Sequence, residues 1–246
     1  MRDLGRQKDF LLYFNDASAQ QATAQLGWDG GLTGGAHDSV LIADASVLSS
    51  KLNFALAESA DINVDLASGN ATHRLTVTYS DVFDTWKKGK DPRLADQVPL
   101  PLNEQGIYAQ VFVPPSAVLL GLERKEVDGS VSKLQPETQG TFLGYQYFAT
   151  FFQLALNQEK SLTYTYVAPA FLQIESDRMT YELQFHKQIG VPAYPVTFSV
   201  VPPPSYHTVR TAICSEGAKS CAESAQPSGQ FDLAADTVID VEFRRD

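Results

Sequence analysis

Alternation of apolar and polar residues in two consecutive segments is the feature that most constrains the fold of this chain. Apolar side chains occupy every second position of residues 62–66 and again of residues 75–79, and the short segment between them contains Gly69 and Asn70. Because successive side chains of a β-strand point to opposite faces, this pattern predicts an antiparallel hairpin with one buried face. The residues predicted to be buried are Ile62, Val64, Leu66, Leu75, Val77 and Tyr79.

Strand signals continue through residues 106–246. About seven apolar runs follow one another there, and turn residues or prolines such as Pro114 and Pro202 end them. This spacing predicts a mainly β fold, with an antiparallel β-sandwich of the immunoglobulin-like type over residues 106–246. The runs cover residues 107–113, 117–123, 141–156, 161–167, 179–185, 196–200 and 239–243.

Residues 1–105 are predicted to form a small α+β segment ahead of the sandwich. The apolar run Phe10–Phe14 predicts a strand, and the good helix formers of Ala17–Leu26 predict one short helix. Asn15 or Asp16 can cap that helix, since a side-chain oxygen at this position accepts hydrogen bonds from the first backbone amides.

A buried strand over residues 38–45 and the hairpin complete this segment. Residues 81–106 show no regular pattern and predict a long irregular connection. We place the domain boundary there, which gives an N-terminal segment of residues 1–105 and a sandwich domain of residues 106–246. Whether the segment packs on the sandwich is left open.

Charge and hydropathy exclude several classes of partner. The 29 acidic residues outnumber the 19 basic ones, for a net charge of -10, and phosphate binding needs a basic face. No nucleic-acid partner is therefore expected. No run approaches the roughly 18 apolar residues of a spanning helix, so membrane insertion by this chain is not expected either. No signal peptide is recognisable at the start, which leaves a cytoplasmic protein or a piece of a longer exported one.

Two cysteines, Cys214 and Cys221, flank six polar or small residues. The spacing favours a disulfide that closes a short loop, over two unrelated thiols. A metal site is disfavoured because no histidine or second cysteine pair lies nearby in the sequence. A disulfide would imply an oxidising compartment outside the cytoplasm.

Motifs for catalysis or cofactor binding are not recognisable. The four histidines are scattered, no serine stands in a nucleophile elbow, and the glycines of residues 30–35 lack the spacing of a phosphate-binding loop. The sequence therefore predicts no cofactor, no metal and no catalytic residue.

Aromatic residues cluster at residues 142–152, and Tyr164 and Tyr166 follow on the next predicted strand. Cross-strand packing in the core explains most of them, and a sugar-stacking surface is the alternative. Residues 86–90 form a basic group in the irregular connection, which is either a solvated loop or a contact for a partner. The candidate ligand or partner residues are Trp28, Asp29, Trp86, Lys87, Lys88 and Tyr147.

Several short motifs follow one another along the chain. They are Phe10–Asp16, Leu26–Gly30, Val40–Ser46 with Lys51–Asn53, Tyr164–Pro169 and Lys187–Gly190. Together they resemble the C-terminal portion of a bacterial family, catalogued as domain of unknown function 4012, over most of the chain. The resemblance implies a longer, membrane-anchored protein with a large extracytoplasmic region, and it supplies no catalytic residues. Ser46, where many members have asparagine, and the cysteine loop depart from the family pattern.

The leading hypothesis from the sequence is a non-catalytic, extracytoplasmic module of a bacterial cell-envelope protein at the cell surface. It would have a structural or protein-interaction role, with a protein or an envelope polysaccharide as partner. The alternatives are a carbohydrate-binding module for surface polysaccharide and a polysaccharide-processing enzyme.

Overall fold

Two β-sheets packed face to face make up most of the described chain. The structure is a computed structural model, and it describes residues 8, 11–26, 28–31, 37–47, 55–88 and 104–246. Apolar side chains from both sheets form one core between them. The predicted mainly β sandwich is therefore confirmed.

The first sheet has nine strands in the described residues. They are β1 (Asp38–Ser46), β4 (Glu104–Val113), β7 (Thr138–Phe142), β8 (Tyr145–Ala155), β10 (Leu172–Glu175), β11 (Arg178–His186), β13 (Tyr206–Ser215), β14 (Ala222–Ser224) and β16 (Thr237–Arg245). Their order in the sheet is β14-β13-β16-β11-β1-β4-β8-β7, and β10 pairs with β11 beside this path.

The second sheet has seven strands in the same described ranges. They are β2 (Leu56–Asp65), β3 (Asn70–Asp81), β5 (Val118–Lys125), β6 (Val131–Leu134), β9 (Glu159–Pro169), β12 (Pro195–Val201) and β15 (Ser228–Asp232). Their order in the sheet is β15-β12-β2-β3-β9-β5-β6.

Strands from the first third of the chain lie in the middle of both sheets. β1 pairs in parallel with β11 and antiparallel with β4, and β2 pairs in parallel with β12 and antiparallel with β3. The other neighbours pair antiparallel, as the sequence predicts. The two parallel pairs were not predicted, because alternation fixes which face of a strand is buried but not which strand lies beside it.

The predicted hairpin is confirmed. β2 and β3 pair in register from Leu56 opposite Asp81 to Asp65 opposite Thr72, and the six alternating apolar residues are fully buried. The predicted run 141–156 divides at Leu143 and Gly144, both at positive φ, into β7 and β8. The prediction allowed one bent strand or two over this run. The structure also has strands where none was predicted, namely residues 131–134, 172–175, 206–215, 222–224 and 228–232.

The predicted short helix is confirmed as α1 (Ala17–Gln25), and the Asp16 carboxylate caps it by accepting a hydrogen bond of 2.9 Å from the Ala19 amide. Residues 11–14 are not in a strand, so that part of the prediction is wrong, and Phe10 lies outside the described residues. The Leu12 amide donates a hydrogen bond of 2.8 Å to the Trp28 carbonyl, and no strand among the described residues pairs with residues 11–14.

The predicted irregular connection contains a second short helix, α2 (Phe83–Lys88). The Asp81 carboxylate accepts hydrogen bonds from the amides of Phe83 and Asn157, which fixes the turn into this helix. Residues 89–103, where the proposed domain boundary falls, lie outside the described residues, so the boundary stays a prediction. Neither helix in the described ranges is long and apolar enough to cross a membrane.

Candidate functional site

A row of side chains crosses four strands on the outer face of the first sheet. The neighbours Val40, Val111 and Phe148 point into the core, so the alternate residues point outward. The registers place these outward residues opposite one another in the row Leu41, Phe112, Tyr147 and Gly140. An apolar surface therefore lies on the outside of the sandwich.

Three aromatic rings of this row and its border contact one another. The ring of Phe112 lies 5.7 Å from that of Tyr147 and 6.4 Å from that of Phe142, measured between centroids. Phe142 is 57% exposed, whereas Phe112 is nearly buried. The tyrosine ring packs over Gly140, where a Cβ atom would lie only 3.4 Å from Cε1 of Tyr147. The glycine thus lets this ring lie close to the sheet.

We call the depression beside these rings the aromatic groove. It has a volume of about 330 Å³, and the loop after β11 and the N-terminal segment form its other walls. Its lining includes Leu41, Ala43, Gln110, Phe112, Phe142 and Ile189. Tyr147, a predicted ligand residue, lies next to the groove through its contact with Phe112.

Lys8 fastens the N-terminal wall of the groove. Its ammonium lies 2.8 Å from an Asp236 carboxylate oxygen, and its carbonyl accepts a hydrogen bond from the Gly190 amide. Burial alone would raise the pKa of Asp236, but hydrogen bonds from His186 and Lys8 hold it below its ordinary value of 3.8. This carboxylate is therefore ionised and ties the N-terminal segment to the sandwich.

Two carboxyl groups from opposite sheets meet at one end of the sandwich. Asp44 follows the core positions Val40 and Ile42 on β1, and Glu58 precedes the core positions Ala60 and Ile62 on β2. Strand alternation therefore turns both side chains toward the interior. The two groups lie close enough for each to shift the pKa of the other, and we call them the carboxyl pair.

Burial dominates the electrostatics of the carboxyl pair. It raises the pKa of Glu58 from 4.5 to about 7, although the interaction with Asp44 and the charge of Lys187 act in the opposite direction. Burial, and after it the charge of Glu58, holds the pKa of Asp44 well above its ordinary 3.8. The Tyr79 hydroxyl donates to Asp44 at 2.9 Å. The pair therefore keeps a proton at neutral pH.

A cavity of about 120 Å³ opens beside the carboxyl pair, and we call it the end cavity. The Gln188 side chain holds one rim, because its amide exchanges two hydrogen bonds of 2.8 Å with the backbone of Asp44. Apart from the pair, its lining includes the apolar residues Leu56, Ile107, Ile189, Val191 and Pro192. Perturbed carboxyls beside a cavity are a general mark of a functional site.

Sequence reasoning missed the carboxyl pair. Asp44 and Glu58 lie on different strands, and only the stacking of the two sheets brings them together. The sequence did contain a signal for the pair, because each acidic residue occupies a position on the core-facing side of its own strand.

A second polar cluster lies inside the sandwich and is closed to solvent. His73 Nε2 and the Tyr181 hydroxyl contact the same Asp38 oxygen, at 2.6 and 2.7 Å. The His73 ring also stacks on Tyr166 at 4.4 Å. The three members of this cluster are fully buried, so it joins the sheets and offers no surface to a ligand.

Two other predicted surface residues, Trp28 and Asp29, do not line the aromatic groove. Trp28 is partly buried in the loop after α1, and Asp29 lines a separate cavity of about 430 Å³ below that helix. The side chains of Trp86, Lys87 and Lys88 lie outside the described residues. Their part in a ligand or partner surface stays a prediction.

The predicted disulfide between Cys214 and Cys221 is confirmed. It joins the end of β13 to the residue before β14, with 4.4 Å between the Cα atoms. No group of three or more histidine, cysteine or acidic side chains in the described ranges is placed to hold a metal ion.

The described residues thus define a two-sheet β-sandwich domain with an aromatic groove and a carboxyl pair. No protein-family model matches the chain, and no curated protein matches it. Among solved structures, it is similar to an M1 zinc metallopeptidase from Deinococcus radiodurans, with 12% identity and a TM-score of 0.34 over 76% of this chain and 42% of that one.

It is also similar to aminopeptidase A from Legionella pneumophila, with 7% identity and a TM-score of 0.33 over 76% of this chain and 21% of that one. The chain spans less than half the length of either protein. Similarity at this level assigns neither a family nor a function to it.

Proposed function

We propose that this chain is a non-catalytic, extracytoplasmic module of a bacterial cell-envelope protein, with a structural or interaction role at the cell surface. The Cys214–Cys221 disulfide carries the proposed location, because such bonds persist in oxidising compartments. The resemblance to domain of unknown function 4012 agrees with this location and stays a prediction.

Peptide mass spectrometry under non-reducing conditions tests the location. Protein taken from its native source should yield the two cysteine-containing peptides joined to each other. If both cysteines in that material are free thiols, the chain resides in a reducing compartment and the proposed location is wrong.

Carbohydrate binding is a second candidate function, and the aromatic groove favours it. Sugar rings present C–H groups that pack on aromatic faces, and the groove offers Phe142 at its border with Tyr147 alongside. Gln110 lines the same groove and provides an amide, a suitable partner for sugar hydroxyls. A segment of surface polysaccharide is the ligand that fits this combination.

A glycan array with matched tyrosine variants tests carbohydrate binding. Tyr147→Ala should lose the binding shown by the unchanged protein, whereas Tyr13→Ala, which removes an 80% exposed tyrosine of the N-terminal segment, should keep it. Equal loss in both variants, or binding by neither variant nor the unchanged protein, would end this candidate.

The alternative of a polysaccharide-processing enzyme stays a prediction. Glycoside hydrolysis uses two carboxyl groups roughly 5 to 10 Å apart, with the sugar or a water molecule between them. Asp44 and Glu58 interact closely enough for each to shift the pKa of the other, which does not favour that arrangement.

A further inference from the structure

The end cavity combines acidic and apolar walls in a small volume. Glu58 and Asp44 form its acidic side, and aliphatic side chains such as Leu56, Ile107 and Val191 form much of the rest. We propose that the end cavity binds a primary ammonium group on a short alkyl chain.

An unpaired carboxyl oxygen in the wall of the end cavity provides a second reason to expect a ligand. Asp44 lines the cavity, and its buried Oδ2 has no hydrogen-bond partner among the described residues. An unpaired buried oxygen is unfavourable, and a hydrogen-bond donor in the cavity would satisfy it. The hydroxyls of Tyr164 and Tyr194 are also buried without a partner among the described residues, but these residues do not line the cavity.

An ammonium group matches these acceptors. It carries three N–H donors and no acceptor, and the cavity wall presents the carboxyl oxygens of Glu58 and Asp44. The charge adds to this match, because a hydrogen bond between an ammonium and a carboxylate is stronger than one between neutral groups. A volume of about 120 Å³ holds the charged head and a few methylene groups.

The apolar walls favour an alkylammonium over a metal ion. Calcium takes six to eight oxygen ligands. The pair has four carboxyl oxygens, one of which accepts the Tyr79 hydroxyl, and the Gln188 side-chain oxygen already accepts the Asp44 amide. Ser46 and Gln105 are the other residues with side-chain oxygens in the lining, and with them the cavity barely reaches the lower limit for calcium. Aliphatic side chains offer a metal no ligand, but they pack well against methylene groups.

Binding should strengthen as the pH rises through about 7. Glu58 loses its proton in this range, and the pair then carries the negative charge that attracts the ligand. Burial raises the pKa of Tyr79, Tyr164 and Tyr194 above the ordinary value of 10, so these facing hydroxyls stay neutral in this range. Lys187 donates to the carbonyls of Gln188 and Val191, and its charge moderates the attraction.

A titration followed by NMR tests the proposal. n-Butylammonium chloride, added at pH 8, should produce saturable shifts in the backbone amides around the end cavity, and n-butanol, which has the same shape without the charge, should not. Glu58→Gln should weaken binding about tenfold or more, the usual effect of replacing a charged hydrogen-bond partner by a neutral one.

Asp61→Asn is the matched control, because Asp61 is an exposed acid on the same strand. It should bind n-butylammonium like the unchanged protein, and Asp44→Asn should weaken binding as a second test. The proposal is wrong if n-butanol binds as well as n-butylammonium, if Glu58→Gln binds it unchanged, or if no shift saturates.

The alkylammonium group could come from a lysine side chain of a partner protein or from a free aliphatic amine. A parallel titration with Nα-acetyl-lysinamide distinguishes these two sources. Binding at least as tight as that of n-butylammonium identifies a lysine side chain of a partner protein as the ligand. Clearly weaker binding identifies a free aliphatic amine, because the bulk around the lysine backbone then fails to fit at the mouth of the cavity.

Discussion

Replacement of Glu58 by glutamine should stabilise the protein at high pH and not at low pH. The folded state raises the pKa of this carboxyl from 4.5 to about 7, so it holds its proton more tightly than the unfolded chain. The free energy of unfolding therefore falls as the pH rises from 4.5 to 7, and the penalty stays complete above 7. At about 1.4 kcal/mol for each pH unit, the full penalty is about 3 kcal/mol.

Glutamine avoids this penalty because it is neutral at every pH, and its amide can donate to Asp44. Allowing about 1 kcal/mol for a poorer hydrogen bond, we expect Glu58→Gln to be about 2 kcal/mol more stable than the unchanged protein at pH 8. At pH 4 both states of the chain keep the Glu58 proton, and the variant should be equally or slightly less stable.

Urea unfolding at pH 4, 6 and 8, followed by tryptophan fluorescence with the disulfide intact, measures this difference. Asp61→Asn serves as the control, since an exposed acid should show little change in stability with pH relative to the unchanged protein. A difference for Glu58→Gln that is the same at pH 4 and pH 8, or that favours the unchanged protein at pH 8, would refute the reasoning.

Three further predictions concern the contacts that hold the sandwich together. Replacing Cys214 and Cys221 by serine should lower stability by about 2 kcal/mol in urea unfolding, as expected for a short closed loop, and reduction of the unchanged protein should have the same effect. Lys8→Met should remove the ion pair with Asp236 and cost about 2 kcal/mol, and hydrogen exchange should show faster exchange in α1 than in the sheets. His73→Leu should cost about 3 kcal/mol or more by thermal unfolding, because it leaves a buried carboxylate with only a tyrosine hydroxyl as partner.

The sequence predicted the sandwich because the rules that fix its strands are local. Alternation between residues 62 and 79 identified both strands of the hairpin and their buried faces, and the aromatic residues Tyr164 and Tyr166 proved to be core, as packing favoured. The disulfide could also be predicted, because only a short loop separates its two cysteines.

The candidate site could not be predicted because it depends on contacts between strands distant in the chain. The aromatic groove needs Leu41, Phe112 and Tyr147 side by side, and only the register of β1, β4 and β8 achieves that. The sequence analysis named Tyr147 as a surface candidate, but it did not predict that the tyrosine ring packs over Gly140. Asp44 and Glu58 could not be singled out among 29 acidic residues, although each is an acidic residue on the otherwise apolar side of its strand.

The two parallel pairs have a consequence for how the chain reaches its folded state. Asp38 on β1 pairs with Leu183, and Ala60 on β2 pairs with Val196. The central strands of both sheets can therefore pair fully only when most of the chain has been synthesised. Pairings across such long separations form slowly, and until then unpaired strand edges are open to association with other chains. During stepwise synthesis or export, the early hairpin would therefore have to be shielded until the later strands emerge.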